Sequence, residues 1–496
     1  MKFKLFLAFI SQAYISVIGI ILIPVYLHYL GAEAFGLVGF YMVVQAWVSL
    51  LDMGFTPVMS RDMSRYRVGV ITKDEIAIRL RSIEIVQGGI AFLVVVAFGA
   101  GSDWIGANWL SVTDLKEDVV SSSVAMIGFS VVFRWIAGLY RGVLVGYEMQ
   151  GVAISMNVIF TTLRYVGVLL LLIYVSVSPR DFFLYQMIIG VLELIGLAIS
   201  AYYLVSLNLN AKFNWKLMKE MVPMLGGMTF LSSAWVVLTQ IDKLILSGVL
   251  LLEDYGNFML AVMVANGILL FIPPLHQIIQ PRLTILSESE SESKLIELYR
   301  LVSQFAVVGF ICLGCVLAFF AAPILLYWTG DKAISEAAAP VLFWYGLANS
   351  VIGILVLPFM LQFAKGKLRL HILGNIILLT ILVPALILSA IYLGGIGAGQ
   401  VFFTANFLFL ILWVPFVHKQ FAPSIKWTWL FRDVILPGGA VIVCFAVAKY
   451  MLPDDIELSK ELFWAVITIL SALSVGVFLG GFSRNFIFGL LGRREI

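Results

Sequence analysis

Charged residues are scarce in this chain. Only 12% of its 496 residues are Asp, Glu, Lys or Arg, against roughly a quarter in soluble domains. With 61% hydrophobic residues and a mean hydropathy of +1.03, the chain cannot cover a water-facing surface. These values exclude a soluble globular protein and an intrinsically disordered one. The formal net charge of +3 is too small for bulk attraction to nucleic acid, so we expect no such partner.

Cysteine is also scarce. Cys312, Cys315 and Cys444 all lie inside apolar runs, which favours buried hydrophobic packing over disulfides or a zinc site. The sequence has no ATP-binding loop. We therefore expect no cofactor, no metal site and no catalytic residue. Any transport by this chain is expected to be driven by an ion gradient, by a partner protein or by downstream consumption of the transported molecule.

Long apolar runs, by contrast, are abundant. A helix needs about 20 mostly apolar residues to cross a bilayer core, and fourteen runs meet that length. They span residues 5–29, 37–59, 82–102, 119–143, 152–176, 182–205, 221–249, 256–280, 301–322, 339–364, 370–392, 397–418, 433–452 and 461–482. We predict an all-α integral membrane protein with about fourteen transmembrane helices.

The positive charges predict the orientation. If both termini are cytoplasmic, the cytoplasmic segments hold 24 of the 32 Lys and Arg residues and the opposite loops hold 4. An imbalance of this size is the positive-inside pattern. The remaining four lie in or at the end of helices: Arg134, Arg164, Lys243 and Lys449.

Two short loops indicate an internal repeat. Ala-Glu-Ala-Phe-Gly at 32–36 and Leu-Glu-Asp-Tyr-Gly at 252–256 are 220 residues apart, each between two apolar runs. Six predicted helices precede the second copy, so both copies point the same way, as in parallel transporter repeats. The predicted division is a six-helix half at 1–220, a second at 221–420, and helices 13 and 14 with a cytoplasmic tail at 421–496. Such symmetry favours a transporter that works by alternating access around a central cavity over a simple membrane anchor or scaffold protein.

Four motifs carry a resemblance to a known family. They are Gln-Ile-Asp-Lys-Leu-Ile-Leu-Ser at 240–247 followed by Asp-Tyr-Gly at 254–256; Ile-Pro-Val-Tyr-Leu at 23–27; Leu-Asp-Met-Gly-Phe at 51–55; and Trp-Thr-Gly at 328–330. In this order they resemble the Wzx-type polysaccharide flippases of the multidrug/oligosaccharidyl-lipid/polysaccharide (MOP) exporter superfamily.

The resemblance implies a MOP-like fold. It also implies transfer of an undecaprenyl-pyrophosphate-linked oligosaccharide, an O-antigen or other surface polysaccharide repeat unit, across the bacterial cytoplasmic (inner) membrane. Membrane lipids, a polysaccharide polymerase and chain-length machinery are the partners it suggests. Two alternatives are a multidrug antiporter of the same superfamily, which favours acidic cavities, and a membrane polysaccharide polymerase, which needs a sizeable outside loop.

Ionisable residues deep in the predicted helices are costly unless they face a partner or a cavity. There are six: Asp52, Arg134, Arg164, Glu193, Asp242 and Lys243. Asp52 and Arg134 lie at one depth, about 23 Å from the outer face at about 1.5 Å per residue, and are expected to pair. Arg164 and Glu193 lie near the midplane and are expected to pair too.

These pairs have two interpretations. They are structural ion pairs, or Arg134 and Arg164 line a cavity and bind an anionic pyrophosphate, with Asp52 and Glu193 as counter-ions or ion-coupling sites. Arginine suits phosphate because its planar fork donates paired hydrogen bonds.

Asp242 and Lys243 are adjacent, so they point about 100° apart and only one is expected to face a cavity squarely. Lys243 is a candidate substrate-binding residue or a side chain reaching the interface, and Asp242 a candidate counter-ion. Arg61, Arg141 and Arg282 are expected at the cytoplasmic mouth, where they meet the headgroup or simply reflect the positive-inside bias.

Uncharged polar residues add a lining suited to sugars: Gln45, Asn157, Gln186, Gln240, Asn266, His276, Asn349 and Asn375. Pro273 and Pro274 are expected to break predicted helix 8. The last two predicted helices contain small residues that permit close packing or leave a groove: Gly438, Gly439, Gly476, Gly480 and Gly481. These two helices have two interpretations. They form an apolar groove for a prenyl chain, or they provide extra packing or a dimer contact.

Overall fold

The computed structural model describes residues 2–52, 54–205, 211–289, 292–453 and 457–485. Across these ranges the chain is helical, with one isolated backbone bridge between Ser111 and Leu251. The predicted all-α class is confirmed. The chain divides into two compact units, Met1–Gly256 and Asn257–Ile496.

The first unit contains α1 to α8 and the start of α9. Their bounds are α1 (Lys2–Val48), α2 (Phe55–Arg67), α3 (Lys73–Trp104), α4 (Glu117–Gly146), α5 (Gln150–Thr162), α6 (Val168–Tyr174), α7 (Pro179–Val205), α8 (Trp215–Ser247) and α9 (Leu252–Asn266). A 3₁₀ segment, Ser49–Asp52, follows α1, and π-helical segments at Ile105–Trp109 and Leu163–Gly167 follow α3 and α5.

The second unit continues from α9 through a 3₁₀ segment, Gly267–Phe271. Its helices are α10 (Ile272–Glu288), α11 (Glu292–Phe319), α12 (Ala321–Thr329), α13 (Lys332–Ala364), α14 (Arg369–Leu408), α15 (Val414–Phe421), α16 (Lys426–Thr428), α17 (Leu436–Met451) and α18 (Leu458–Leu479). Between α14 and α17 lie π-helical segments at Phe409–Trp413 and Trp429–Ile435 and a 3₁₀ turn at Pro423–Ile425. Residues 486–496 of the predicted tail lie outside the described ranges.

Within the described residues, eleven helical stretches are long and apolar enough to cross a membrane. Thirteen of the fourteen predicted runs map onto these stretches, because the stretch that includes most of α1 holds two runs and Arg369–Phe421 holds two. The remaining run, 221–249, lies in the 33-residue α8. The two joined helices kink at Gly31 and Gly394, where φ is 81° and 59°. Only glycine adopts this left-handed backbone at little cost.

Polar residues in short loops determine where several long helices begin. The Thr72 hydroxyl accepts a hydrogen bond from the Glu75 amide at 3.3 Å. The Asn214 side chain accepts one from the Lys216 amide at 3.0 Å, and Asp331 accepts one from the Ala333 amide at 2.8 Å. These caps satisfy amides that the first helical turn leaves unpaired.

The core of the first unit fixes α4 against its neighbours. Val58 and Met59 of α2, Leu80 of α3, Val143 of α4 and Leu197 of α7 are buried in one apolar cluster. The contact between α4 and α7 is the most extensive between any two helices of the described chain. Polar side chains on these two helices are therefore held in fixed register.

The two copies of the repeated loop contact each other reciprocally inside the first unit. A Cβ added to Gly36 would lie 2.3 Å from the carbonyl oxygen of Leu252, and one added to Gly256 would lie 2.2 Å from that of Ala32. Ala32 and Leu252 occupy equivalent positions in the repeat, so each copy meets the other through the same residues. Self-complementary contact of this kind is what a two-fold relation produces.

The compact units do not end where the predicted halves end. Residues 221–256 belong to the first compact unit, although the predicted second half begins at 221. Compactness and sequence repetition are different properties, so the division at 220, like that at 420, stays a prediction.

The last two helices pack tightly in the second unit. A Cβ on Gly438 would lie 2.4 Å from Ile311, one on Gly476 would lie 2.9 Å from Val308, and one on Gly480 would lie 2.8 Å from the Gln304 side chain. Gly439 and Gly481 have open space. Three of the five glycines therefore serve close packing, mainly against α11, which favours the packing alternative over a prenyl groove there.

Candidate functional site

A single carboxylate, that of Glu193 on α7, is shared by two arginines. Its Oε2 accepts a hydrogen bond from Arg164 Nη2, and its Oε1 accepts one from Arg141 Nη2 at 2.5 Å. The side chains of Glu193 and Arg164 are 5% and 6% exposed, and that of Arg141 is 37% exposed. The expected contact between Arg164 and Glu193 is present, and Arg141, expected at the cytoplasmic mouth, joins it.

Arg164 lies in the π-helical segment Leu163–Gly167. Side chains from other helices bind the carbonyl oxygens of this segment: Tyr185 donates to Leu163 at 3.0 Å, Gln186 to Arg164 at 3.3 Å and Tyr26 to Tyr165 at 2.7 Å. These bonds stabilise a backbone form that is rare and frequent at functional sites. They also fix the point from which the Arg164 side chain extends toward Glu193.

Arg134 on α4 has different partners from those expected. Its Nη1 donates to the Tyr41 hydroxyl at 3.0 Å and to the Gln45 side-chain oxygen, both on α1. Asp52 instead accepts hydrogen bonds from the Thr56 hydroxyl at 2.8 Å and the Thr56 amide at 3.3 Å. The predicted pair of Asp52 with Arg134 is therefore wrong. Equal depth does not place two side chains on facing sides of their helices, and Asp52, in the 3₁₀ segment before α2, bonds to Thr56 in the first turn of that helix.

The cluster of Arg134, Arg141, Arg164 and Glu193, in which Arg164 and Glu193 are buried, carries excess positive charge. Arg134 interacts electrostatically with both Arg164 and Glu193, so three guanidinium groups share the negative charge of one carboxylate. Two donors, Arg164 Nη1 and Arg141 Nε, are buried and have no hydrogen-bond partner among the residues that the structure describes. Buried donors are normally satisfied, and uncompensated buried charge is costly. Both features fit a binding site for an anion. We call these four residues the arginine cluster.

Asp242 and Lys243 on α8 form a second buried pair. Lys243 Nζ lies 3.0 and 3.1 Å from the two Asp242 carboxylate oxygens and donates to the Thr239 carbonyl at 2.6 Å. The residues were expected to diverge around the helix. The long lysine side chain folds back onto its neighbour instead, so the two charges compensate each other.

Arg61 and Arg282 lie on different units. Arg61 is an exposed residue of α2 in the first unit, and Arg282 is an exposed residue of α10 in the second. Their role in loading a headgroup stays a prediction.

The sequence of this chain matches a known protein family over more than half of its length. A family model described as polysaccharide biosynthesis protein matches residues 4–287, more than half of the chain. The chain belongs to this family. No curated protein matches its sequence.

Two solved structures share the fold of this polysaccharide biosynthesis family member. Lipid II flippase MurJ in an inward closed conformation aligns with a TM-score of 0.67 at 14% identity, over 96% of this chain and 99% of that chain. An inward-facing multidrug resistance MATE family transporter of the MOP superfamily aligns with a TM-score of 0.67 at 13% identity, over 82% of this chain and 96% of that chain. At these identities the likeness is one of fold. The expected MOP-like fold is confirmed.

Sequence reasoning missed a carboxylate in the first unit of this family member. Glu84 of α3 accepts hydrogen bonds from the hydroxyls of Tyr140 and Tyr202 at 2.8 and 2.6 Å, and from Arg81 Nη1 at 3.1 Å. Glu84 lies two residues inside an apolar run expected to begin at 82, so it looked like a boundary residue. It joins α3, α4 and α7 close to the arginine-bearing part of α4.

A second missed carboxylate organises a loop. Glu33, which follows the Gly31 kink, accepts hydrogen bonds from the backbone amides of Thr113, Asp114 and Leu115, at 2.6 Å for Thr113. Glu33 lies in the first copy of the repeated loop, at 32–36. The partner segment could not be identified from one sequence.

The third missed group lies in the second unit. Arg300 of α11 donates to both carboxylate oxygens of Asp433, at 2.7 and 3.0 Å, and Gln304 donates to Asp433 at 2.6 Å. The Gln304 side-chain oxygen accepts hydrogen bonds from the backbone amides of Phe482 and Ser483, each at 2.9 Å. Asp433 is fully buried. This network fastens the start of α17 and the end of α18 to α11.

Proposed function

We propose that this protein is a flippase that moves an undecaprenyl-pyrophosphate-linked oligosaccharide, such as an O-antigen repeat unit, across the bacterial cytoplasmic membrane by alternating access. The arginine cluster is the observation that carries the proposal. It offers buried positive charge and two open donors inside a membrane protein of the polysaccharide biosynthesis family.

The cluster suits a diphosphate for a chemical reason. Guanidinium groups stay charged and donate paired hydrogen bonds to phosphate oxygens. Arg164 Nη1 and Arg141 Nε are the open donors, and the donors now held by Glu193 are available to a stronger anion. Arg134, oriented by Tyr41 and Gln45, adds the third positive charge. Glu193 is then the resting counter-ion, which the headgroup displaces when it binds.

The other acids receive narrower roles under this proposal. Asp242 neutralises Lys243 in their ion pair. If this pair separates during transport, the Asp242 carboxylate is a candidate site for the coupling ion. Asp52 stabilises the first turn of α2. Ion coupling itself is part of the proposal, because the sequence has no ATP-binding loop.

The multidrug alternative meets an electrostatic obstacle. An organic cation would be repelled by three guanidinium groups compensated by one carboxylate in a low-dielectric site. The arginine cluster therefore favours an anionic headgroup over a cationic drug. A polymerase is disfavoured because the two solved structures compared above are described as a flippase and a transporter.

The proposed location is the cytoplasmic membrane, with both termini in the cytoplasm. The charge imbalance between the two sets of loops supports it. A cysteine introduced at Ser289 should react with a membrane-impermeant thiol reagent in inverted vesicles and not in intact cells. Reaction from outside in intact cells would contradict the orientation.

A reconstituted transport assay tests the function. Proteoliposomes are loaded with a fluorescent undecaprenyl-diphosphate-linked oligosaccharide, and its movement between leaflets is followed by quenching from one side. The wild-type protein should move this lipid and not a phospholipid with the same fluorophore. Arg164→Ala should abolish movement. Equal movement of both lipids, or full activity of Arg164→Ala, would contradict the proposal.

A further inference from the structure

An apolar groove of about 500 Å³ opens on the first unit, apart from the arginine cluster. Its walls come from α1, from α3 with the π-helical segment after it, and from α8. The lining is hydrophobic and rich in aromatic rings, with Phe40, Val44 and Trp47 on one side and Phe98, Trp104 and Trp109 on the other.

Irregular backbone holds both walls in place. The π-helical segment Ile105–Trp109 carries one wall past the end of α3, and the 3₁₀ segment Ser49–Asp52 ends the other. Trp109 Nε1 donates to the Ser247 hydroxyl of α8 at 3.0 Å, which fixes the indole ring. The groove is therefore preformed, as ligand sites usually are.

The groove and the arginine cluster share one helix. Phe40, Val44 and Trp47 lie on one face of α1, and Tyr41 and Gln45, which hold Arg134, lie on a neighbouring face roughly 110° away at about 100° per residue. One amphiphilic molecule bound near this helix would meet an apolar surface and a cationic surface within a few turns. The groove lies in membrane-spanning helices, so its occupant comes from the lipid phase.

We propose that this groove binds the polyisoprenoid chain of the lipid-linked substrate. The inference rests on the proposed function. The occupant is identified by continuity with the arginine cluster along α1, since that cluster selects an anionic headgroup and the groove takes the chain attached to it. Aromatic rings pack well against the flat, methyl-branched double bonds of an isoprenoid. The tight packing of Gly438, Gly476 and Gly480 removes much of the alternative groove expected in α17 and α18.

Photolabelling of the full-length protein in nanodiscs tests the site. The probe is undecaprenyl diphosphate carrying a diazirine on its chain, and the comparison probe is phosphatidylethanolamine carrying a diazirine on its acyl chain. We expect the isoprenoid probe to label residues 40–51 and 94–109 severalfold more than the exposed face of α18, and the phospholipid probe to show no such preference. Equal patterns from both probes, or isoprenoid labelling concentrated on α17 and α18, would overturn the proposal.

A matched pair of variants sharpens the test. Val94→Trp fills the groove, whereas Val96→Trp adds the same ring to a side chain on α3 that is 47% exposed and does not line it. Val94→Trp should lose the isoprenoid label and slow transport while binding inorganic diphosphate like wild type, and Val96→Trp should match wild type in all three. Ala97→Phe, also in the groove, replaces Val94→Trp if that variant does not fold. Equal labelling in groove-filled and control variants would refute the groove. Diphosphate binding that Arg164→Ala leaves unchanged would instead refute the proposed function.

Discussion

Arg164 and Glu193 form a buried ion pair between a π-helical segment and α7, and the carboxylate of this pair also binds Arg141. One acid therefore compensates two arginines, and a third, Arg134, is held nearby by uncharged partners. A purely structural pair would have balanced charges. The imbalance leaves the cluster short of negative charge until an anion binds.

Removal of the shared carboxylate should destabilise the protein without ligand. Glu193→Gln leaves Arg141 and Arg164 without their counter-ion, and breaking a buried pair from one side costs about 3–5 kcal/mol. Inorganic diphosphate should raise the unfolding temperature of Glu193→Gln more than that of wild type, since it supplies the missing charge. Thermal unfolding of the purified protein measures both effects. A variant that melts like wild type and gains nothing extra from diphosphate would contradict the counter-ion role.

The partners of Arg134 predict which neighbours matter for transport. Tyr41→Phe removes a hydrogen bond to a charged group, worth about 1.5–3 kcal/mol, so Arg134 loses orientation and transport should fall. Asp52→Asn should transport normally, because the asparagine side-chain oxygen still accepts hydrogen bonds from Thr56, the partner of Asp52. Transport rates normalised to protein in the membrane distinguish the two. Loss of transport in Asp52→Asn alone would reverse this assignment.

The reciprocal loop contact predicts a strong effect of one methyl group. Gly36→Ala and Gly256→Ala each place a Cβ within 2.3 Å of a backbone oxygen, a clash that backbone must move to relieve. Both should lower the yield of folded protein and its unfolding temperature. Gly89→Ala on α3 has no atom within 4 Å of the added methyl group and should be neutral or slightly stabilising. Normal stability in both loop variants would show that the contact is not close.

The network at Asp433 predicts how the last two helices are held. Asp433→Ala leaves Arg300 and Gln304 without their acceptor and should destabilise the second unit by about 3–5 kcal/mol. Limited proteolysis should then release a fragment containing α17 and α18 sooner. Lys460→Ala removes an exposed ion pair with Glu457 and should change stability by no more than about 1 kcal/mol. Equal protease resistance in the two variants would argue against the anchoring role.

The sequence predicted the helices well because apolar length and loop charge are strong signals in a membrane protein. The fourteen runs appear as helical segments, and two pairs are joined only because Gly31 and Gly394 bend the chain without ending the helix. The break expected at Pro273 and Pro274 lies just before them, as the 3₁₀ segment Gly267–Phe271.

The side chains that each buried ionisable residue contacts were harder to predict. Depth along a helix placed Arg164 beside Glu193 correctly, but the same argument failed for Arg134 and Asp52 because it says nothing about which way a side chain faces. Glu84 and Asp433 lie at the edges of apolar runs, where an acid is ordinarily exposed, so their burial depends on tyrosine and arginine partners distant in sequence. Such contacts follow from packing and not from local pattern.

The affinity of the purified protein for undecaprenyl diphosphate, measured by calorimetry in nanodiscs, tests the central claim most directly. The control is Arg67→Ala, which removes an exposed arginine of the same unit that pairs with Glu148. A charge-assisted bond contributes about 1.5–3 kcal/mol, so Arg164→Ala should weaken binding by at least about tenfold and Arg164→Lys should restore it only in part. Arg67→Ala should bind like wild type. Wild-type affinity in a folded Arg164→Ala protein would contradict the account.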